Sequence, residues 1–222
     1  MSKPIIIAVD ETKFSTLKKI VDSLDSNLCI IKIGSVSFNS IGLEAVSYVA
    51  SKGFEIFLDL KLHDIPNTVK KSIEGLVSLP ICMMTIHTSG GIEMMKAAKN
   101  AVNGSGIKIF GVTALTSLSD KDTRSIFRRN SSDQVTAMLD LAEEVGINGV
   151  VCSPHELELV AERKSLMSIA PGIRLTESMD DQKRVMTPKE AIAKGADYIV
   201  IGRPITSSKN IHAALLKIHD SL

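Results

Sequence analysis

The sequence predicts a single-domain (β/α)8 barrel, and three observations lead to this fold class. Eight short runs rich in β-branched residues recur at fairly even spacing along the 222 residues. Most of these runs are almost entirely apolar, which is typical of parallel strands that are buried on both faces. Segments with helical periodicity lie between them, and this alternation favours a compact barrel over its competitor, a doubly wound open sheet.

The eight predicted strands follow one another without a second domain, an internal repeat or a low-complexity tract. We therefore expect residues 1–222 to form one domain. The strands are Ile5–Asp10, Cys29–Gly34, Glu55–Lys61, Met84–Thr88, Ile107–Thr113, Gly149–Ser153, Ser168–Pro171 and Tyr198–Gly202.

Periodicity and capping residues mark several of the intervening helices. Apolar residues recur at helical spacing over residues 43–50 and 135–145. The sequences Ser153-Pro154-His155-Glu156 and Thr187-Pro188-Lys189-Glu190 each offer an N-cap, a proline at the first helical position and a glutamate at the third. Glycines placed to end helices are Gly53, Gly146 and Gly195.

Two long polar segments, residues 115–133 and 174–186, follow the fifth and seventh predicted strands. The loops that follow barrel strands form the face of the barrel that carries active sites. We therefore expect both segments to lie on that face.

Composition excludes several classes of protein. Lys and Arg number 26 and Asp and Glu 25, so the net charge of +1 does not indicate a nucleic-acid or membrane-surface binder. No apolar run approaches the length of a membrane-spanning helix, and the N-terminus has no signal-peptide pattern. The expected location is the cytoplasm, where Cys29, Cys82 and Cys152 would be reduced core residues.

The most informative segment joins the third predicted strand to the helix after it. Asp59 and Lys61 are two residues apart at the end of this strand, so their side chains share one face. Without these two residues that face would belong to the core, and ionised groups are costly to bury without partners. The strand end is therefore either a buried ion pair or a reaction centre.

Polar residues also end other predicted strands, and each has an alternative structural role. Asp10 could cap the helix that follows it, Asp64 could be the N-cap of the next helix, and His87 is better explained as a scaffold residue. Lys32 lies near the end of the second strand. Together, alternating Lys and Asp on adjacent strand ends predict a partly buried charged array, and such arrays cluster at active sites.

A second group of residues predicts a phosphate site. Gly172 and Arg174 follow the seventh predicted strand, and Gly202 and Arg203 follow the eighth. In barrels of this kind the loops after strands seven and eight commonly bind phosphate through backbone amides and arginine. A metal site is not expected, because the sequence has neither HExxH nor paired-cysteine spacing.

These residues also support a resemblance to a known family. The chain resembles the orotidine 5′-phosphate decarboxylases over nearly its whole length. The DxKxxD element at Asp59 is shared with related sugar-phosphate enzymes, whereas its continuation through Thr68 is more specific. The other matching segments are 8–10, 31–34, 113–117, 171–174, 181–182 and 201–204.

The resemblance implies roles for individual residues. The Lys-Asp-Lys-Asp array would be Lys32, Asp59, Lys61 and Asp64, with Lys61 donating a proton to C6 of the pyrimidine and Asp59 beside the departing carboxylate. Asp10, Lys32, Asp64 and Thr68 would bind ribose hydroxyls, and Thr116 would lie near the base. Gln182, Gly202 and Arg203 would hold the phosphate, with Arg174 nearby.

The resemblance also implies the assembly and the chemistry. Asp64 and Thr68 would reach the active site of a neighbouring subunit in a homodimer, and the substrate would be orotidine 5′-phosphate. No cofactor and no metal would be needed. A fixed ammonium would stabilise the developing carbanion and then protonate it.

Three alternatives remain open from the sequence. The first is a magnesium-dependent decarboxylase or aldolase of the same superfamily acting on a sugar phosphate, similar to 3-keto-gulonate-6-phosphate decarboxylase or hexulose-phosphate synthase. The second is a phosphate-binding barrel enzyme of histidine or tryptophan biosynthesis, which would not need the Lys32, Asp59 and Lys61 array. The third is a non-catalytic barrel that binds nucleotides or proteins, which the cost of keeping buried charges opposes.

Overall fold

The computed structural model describes residues 3–174 and 186–222. Its eight parallel strands close a barrel in sequence order, with β8 pairing with β1. This confirms the (β/α)8 fold over the open sheet. The strands are β1 (Ile5–Val9), β2 (Ile30–Gly34), β3 (Ile56–Leu62), β4 (Met83–His87), β5 (Lys108–Val112), β6 (Gly149–Val151), β7 (Met167–Ala170) and β8 (Tyr198–Ile201).

Helices connect the strands, and each predicted strand lies within two residues of its observed bounds. The helices are α1 (Phe14–Val21), α2 (Ser35–Ile41), α3 (Leu43–Ser51), α4 (Pro66–Glu74), α5 (Gly91–Ala101), α6 (Asp120–Phe127), α7 (Ser131–Val145), α8 (Leu157–Ala161), α9 (Pro188–Ala193), α10 (Arg203–Thr206) and α11 (Ile211–His219).

Local capping agrees with the sequence in most places. The motifs at Ser153 and Thr187 both form reciprocal capping boxes, the first on a 3-10 turn that leads into α8. Gly53, Gly146 and Gly195 follow or cap α3, α7 and α9 with φ angles of 78°, 68° and 91°, a conformation that glycine adopts without strain.

The segment 115–133 contains more regular structure than we expected from its polarity. It includes α6 and the start of α7. Ser119 and Asp122 form a capping box that begins α6, and Asn130 caps α7. These polar residues therefore mark helix ends within the segment, because N-cap side chains satisfy backbone N–H groups that have no partner inside the helix.

Alternation along the strands builds two apolar layers. The larger layer lies between the barrel and its helices and includes both Met94 and Met95, which are fully buried. The smaller layer fills the barrel interior with Ile6, Ala8, Ile30, Phe57, Met83, Phe110, Ile169 and Val200.

The interior changes from apolar to polar towards the carboxyl ends of the strands. Side chains two residues apart on a strand point to the same face. The interior residues Ile30, Phe57 and Met83 are therefore followed on the same face by three polar residues, which are Lys32, Asp59 and Thr85 in the same order. The barrel floor is thus closed by hydrophobic packing, and the polar layer above it is positioned to form a site.

The described residues include no helix with the length and hydropathy needed to cross a membrane. All three cysteines are free; Cys29 and Cys152 are buried and Cys82 is half-buried. Burial raises the pKa of the Cys82 thiol to about 11, with the nearby Glu55 adding to the shift, so this thiol is a weak nucleophile at neutral pH.

Candidate active site

One cavity of about 370 Å³ opens at the carboxyl ends of the strands. Its wall gathers most of the residues that the sequence singled out, although they come from distant parts of the chain. Eight of the predicted site residues line it: Asp10, Lys32, Asp59, Lys61, Thr116, Arg174, Gly202 and Arg203. Its apolar lining includes Ala8, Phe57, Val151, Ile169 and Val200.

Asp59 is the centre of the charged array. Only 7 % of its surface is exposed. The Lys61 Nζ lies 2.8 Å from both carboxylate oxygens, and the Lys32 Nζ lies 3.3 Å from Oδ2. The Thr85 hydroxyl donates to Oδ1 at 2.9 Å. A buried carboxylate is stable only with such partners, so this arrangement is an ion-pair network built around one aspartate.

These contacts control the ionisation of Asp59. Burial alone would raise the pKa of its carboxyl group, but the charges of Lys32 and Lys61 and the hydrogen bonds from Lys61 and Thr85 outweigh it. The pKa of Asp59 therefore lies below its ordinary value, and the residue is an anion at neutral pH.

Lys32 links the array to the first strand. Its Nζ also donates to Asp10 Oδ1 at 3.3 Å. Gly34 makes room for this pair, since a Cβ at that position would come within 2.9 Å of both Asp10 Oδ1 and Lys32 Nζ. Asp10 does not cap the next helix, because α1 begins after Lys13 without a side-chain cap.

The third strand is irregular where the array lies. The pairing of β3 with β4 shifts between Leu58 and Leu62, and Lys61 has a φ of 51°, in the left-handed region that non-glycine residues rarely adopt. The Lys61 N–H donates to the Thr85 hydroxyl at 2.9 Å. Asp59 and Lys61 do meet as the sequence predicts, but across a distorted strand end instead of a regular one.

Sequence reasoning missed Thr85. The residue is fully buried, and its hydroxyl contacts both Asp59 and Lys61. A signal was present, because a threonine interrupts the apolar fourth strand at an inward position between Met83 and His87. Threonine is common in strands for reasons of shape alone, so its partners were needed to identify its role.

Asp64 and Thr68 lie outside the cavity within a single chain. Both are exposed, and the structure pairs the Asp64 carboxylate with the N–H of the adjacent Ile65 at 2.7 Å. The alternative role of Asp64 as a helix N-cap is wrong, because the N-cap of α4 is Ile65, with Pro66 directly after it and no side-chain cap. In the described part of its own chain, Asp64 therefore neither caps α4 nor lines the cavity.

The opposite wall of the cavity is cationic. Around the closed barrel, β7 is four strands from β3 in either direction, so Arg174 faces the array from across the barrel. Arg174 is 8 % exposed, and its Nη1 donates to the Ile173 carbonyl at 3.3 Å. Gly172, with a φ of 81°, turns the chain before it.

Two further features complete this wall. Gly202 caps the short helix α10, which begins at Arg203. The Arg174 N–H donates to the Met186 carbonyl at 3.0 Å, so Arg174 and Met186 lie next to each other. Gln182, expected at the phosphate, lies outside the described residues.

His87 borders the array without joining it. Its ring centroid is 5.2 Å from that of His63. Burial lowers the pKa of His87, and His63 and Lys61 lower it further against the opposing effect of Asp59. His87 is therefore neutral at pH 7, which suits the scaffold role expected from the sequence. No three His, Cys, Asp or Glu side chains among residues 3–174 and 186–222 converge as metal ligands.

Known proteins are similar to this chain in both sequence and fold. The model of the Orotidine 5'-phosphate decarboxylase / HUMPS family matches residues 3–218. Orotidine 5'-phosphate decarboxylase of Ehrlichia canis is 45 % identical over 210 residues, covering 93 % of this chain and 92 % of that protein. The enzyme of the same name from Actinobacillus succinogenes is 41 % identical over 231 residues, covering 100 % and 99 %.

A solved structure gives the same result. The crystal structure of orotidine 5'-phosphate decarboxylase from Lactobacillus acidophilus matches with a TM-score of 0.87 and 34 % identity, covering 99 % of each chain. Sequence and fold thus agree over the full length of the barrel. The chain therefore belongs to the orotidine 5′-phosphate decarboxylase / HUMPS family and is an enzyme of the carbon–carbon lyase class.

Proposed function

We propose that this enzyme converts orotidine 5′-phosphate to uridine 5′-monophosphate in pyrimidine biosynthesis, without a cofactor or a metal. The observation that carries the proposal is the buried Asp59, held between Lys32 and Lys61 in a cavity whose opposite wall carries Arg174. Membership of the decarboxylase family supports the reaction class.

The charges of the cavity suit this substrate. Among the described residues of the lining, Lys32, Lys61, Arg174 and Arg203 outnumber the two carboxylates, Asp10 and Asp59. A nucleotide that carries both a phosphate and a carboxylate would complement this excess of positive charge. The phosphate would bind near Arg203, Gly202 and Arg174, together with Gln182, and the pyrimidine would face the array near Thr116.

The proposed step needs the array because the negative charge left on C6 is localised there and has no electron sink. The C6–carboxylate bond breaks, carbon dioxide leaves, and the electron pair stays on C6 as a localised carbanion. Lys61, fixed by two contacts of 2.8 Å to Asp59, stabilises this charge and gives its proton to C6, forming the new C–H bond. Preorganised charges act here without the cost of reorienting during the reaction.

Asp59 has two roles in this proposal. It orients Lys61, and its negative charge lies beside the substrate carboxylate, which raises the energy of the bound substrate relative to the product-like state. Asp10 and Lys32, paired at 3.3 Å, would bind the ribose hydroxyls.

We further propose a cytoplasmic homodimer with shared sites. Asp64 and Thr68 are exposed and separate from their own cavity. Ile65 between them is 67 % exposed, and an exposed apolar side chain beside a functional motif suits a subunit interface. In a twofold dimer each chain would extend Asp64 and Thr68 to the ribose of its partner's substrate.

The test is an absorbance assay that follows loss of orotidine 5′-phosphate with and without EDTA. We expect turnover at the same rate in both. Loss of activity with the chelator and its recovery with magnesium would contradict the metal-free step and favour the superfamily's magnesium-dependent chemistry on sugar phosphates. No turnover of the nucleotide under either condition would overturn the proposed function.

A further inference from the structure

We propose that Thr85 is a positioning residue for this reaction, whose hydroxyl holds the Asp59 carboxylate and the Lys61 backbone in the arrangement that decarboxylation requires. The inference rests on the proposed function and extends it to a residue on β4. Thr85 is absent from the residues that line the cavity, so it would act through Asp59 and Lys61 and not by touching substrate.

The direction of each hydrogen bond at Thr85 is fixed by chemistry. The Lys61 N–H can only donate, so the Thr85 oxygen accepts it at 2.9 Å. The ionised Asp59 carboxylate can only accept, so the Thr85 hydroxyl donates to Oδ1 at 2.9 Å. One buried hydroxyl thus joins the two residues, because it accepts a hydrogen bond from Lys61 and donates one to Asp59.

The same hydroxyl supports the distorted end of β3. Between the paired positions Leu58–Met84 and Leu62–Ile86, β3 has three residues and β4 has only Thr85. The Lys61 N–H in this stretch binds a side chain in place of a strand carbonyl. Because Lys61 also has a φ of 51°, the Thr85 hydroxyl helps to hold an unfavourable backbone conformation at the proton donor.

Each of the other groups around Asp59 has a different task. Lys61 must give up its proton during the reaction, and Lys32 is shared with Asp10 at 3.3 Å. Thr85 is a neutral donor that stays constant while these charges change. His87, also on β4, is close enough for the charge of Asp59 to oppose the lowering of its pKa. The other cations that line the cavity in the described part of the chain are Arg174 and Arg203.

The test compares Thr85→Val, which keeps the branched shape but removes the hydroxyl, with Thr85→Ser, which keeps the hydroxyl. We expect Thr85→Val to lower kcat roughly 10- to 100-fold, the range for a hydrogen bond to a charged group. KM should stay within about threefold, because Thr85 does not line the cavity. Thr85→Ser should keep kcat within about threefold of the wild type.

Thr88→Val is the matched control. Thr88 is also fully buried, and its hydroxyl donates to the Val112 carbonyl at 2.8 Å, away from the array. Loss of this bond should lower Tm and leave kcat and KM unchanged. If Thr85→Val does not fold, Thr85→Ala serves as the second variant without the hydroxyl.

A pH readout separates positioning from general stability. Without the Thr85 donor the pKa of Asp59 rises, so the acidic limb of the kcat profile should move to higher pH in Thr85→Val and remain in place in Thr85→Ser and Thr88→Val. In the free enzyme, ¹³C NMR of labelled aspartate carboxyl groups should report the same upward shift for Asp59 without any substrate.

The outcomes separate the inference from the proposed function. Wild-type enzyme that decarboxylates orotidine 5′-phosphate, with Thr85→Val matching it in kcat and pH profile, would overturn the role of Thr85 and leave the function standing. Wild-type enzyme without this activity would overturn the function. The NMR arm decides independently, because unchanged titration of Asp59 in Thr85→Val contradicts the proposed role.

Discussion

Asp59 and Asp64 belong to one short motif but lie in opposite environments. Asp59 is 7 % exposed and has contacts from Lys32, Lys61 and Thr85. Asp64, five residues later, is exposed, and its carboxylate accepts a hydrogen bond from the N–H of Ile65. The burial and charge of the first carboxylate are therefore explained within one chain, whereas the described residues of the same chain do not explain a role for the second.

This difference teaches how far a single chain determines a site. A buried charge must be satisfied by its surroundings, so the partners of Asp59 account for its burial and its ionisation. An exposed carboxylate costs little to keep anywhere on a surface. We propose that Asp64 acts in the site of a partner subunit, and four changes to the enzyme test this division.

The largest expected effect is at the buried end of the motif. Lys61→Ala removes the proposed proton donor, and we expect turnover to fall by more than about 10³-fold, at the upper range for a positioned acid. Binding of uridine 5′-monophosphate, measured by calorimetry, should persist. Lys194→Ala, which removes an exposed lysine paired with Glu158, is the control and should keep full activity. Near-normal turnover in Lys61→Ala would refute its assignment.

The exposed end should also be essential, but for a different reason. We expect Asp64→Ala to lose roughly 10²-fold or more in kcat/KM, since it would withdraw the ribose contact that we propose in the partner's site. Tm should change little, as for surface substitutions generally. A helix cap would instead have cost about 1 kcal/mol of stability and no activity. Asp220→Ala, at an exposed carboxylate beside His219, should leave activity unchanged.

A third change tests the wall opposite the array. Arg203→Ala should raise KM roughly 10- to 100-fold and lower kcat as well, because binding energy from the phosphate is used at the reacting carbon. On orotidine without its phosphate, the mutant and the wild type should differ little. Arg163→Ala removes a cation bound to Asp140 on the outer helices and should have no such effect. Equal losses on both substrates would place Arg203 in another role.

The smallest effect concerns stability beside the array. The pKa of His87 is lowered from its ordinary 6.5 by burial and by the nearby His63 and Lys61. The unfolded chain therefore binds a proton at His87 more readily than the folded chain does. The stability that the neutral His87 contributes is thus complete above about pH 6.5, and it is lost as the pH falls towards the pKa of His87 in the folded protein.

We expect His87→Gln to weaken the dependence of Tm on pH. Between pH 7 and pH 5 the Tm of this variant should fall less than that of the wild type, by on the order of 2 °C. His212→Gln, at an exposed histidine of α11, should keep the slope of the wild type. An unchanged slope in His87→Gln, measured by calorimetry, would show that His87 does not resist protonation in the folded protein.

The sequence predicted the fold, and it predicted that Asp59 and Lys61 lie together, for physical reasons. Strands that are buried on both faces leave apolar runs that can be counted, and Asp59 and Lys61 stand out because charge is rare in such runs. Thr85 was missed because threonine is an ordinary strand residue. The irregular pairing at Lys61 was missed because register depends on the neighbouring strand, which a single strand's pattern does not reveal.

The helix α6 was missed for a related reason. Its sequence from Asp120 to Phe127 is mostly polar, and the apolar stripe that marks a surface helix is short. Its start is nevertheless encoded by Ser119 and Asp122, the two members of a capping box. Capping residues thus carried information that periodicity did not.

The central claim, that Asp59 and Lys61 act in their own chain and Asp64 acts in its partner's, is tested most directly by mixing two inactive mutants. Lys61→Ala and Asp64→Ala subunits should exchange so that one site of each heterodimer carries both changes and the other carries neither. With random mixing in a twofold dimer, roughly a quarter of all sites would be intact, and activity should recover to about that fraction of the wild type. If subunit exchange is verified by mass spectrometry and the mixture remains as inactive as its parents, the assignment of Asp64 to the partner's site is wrong.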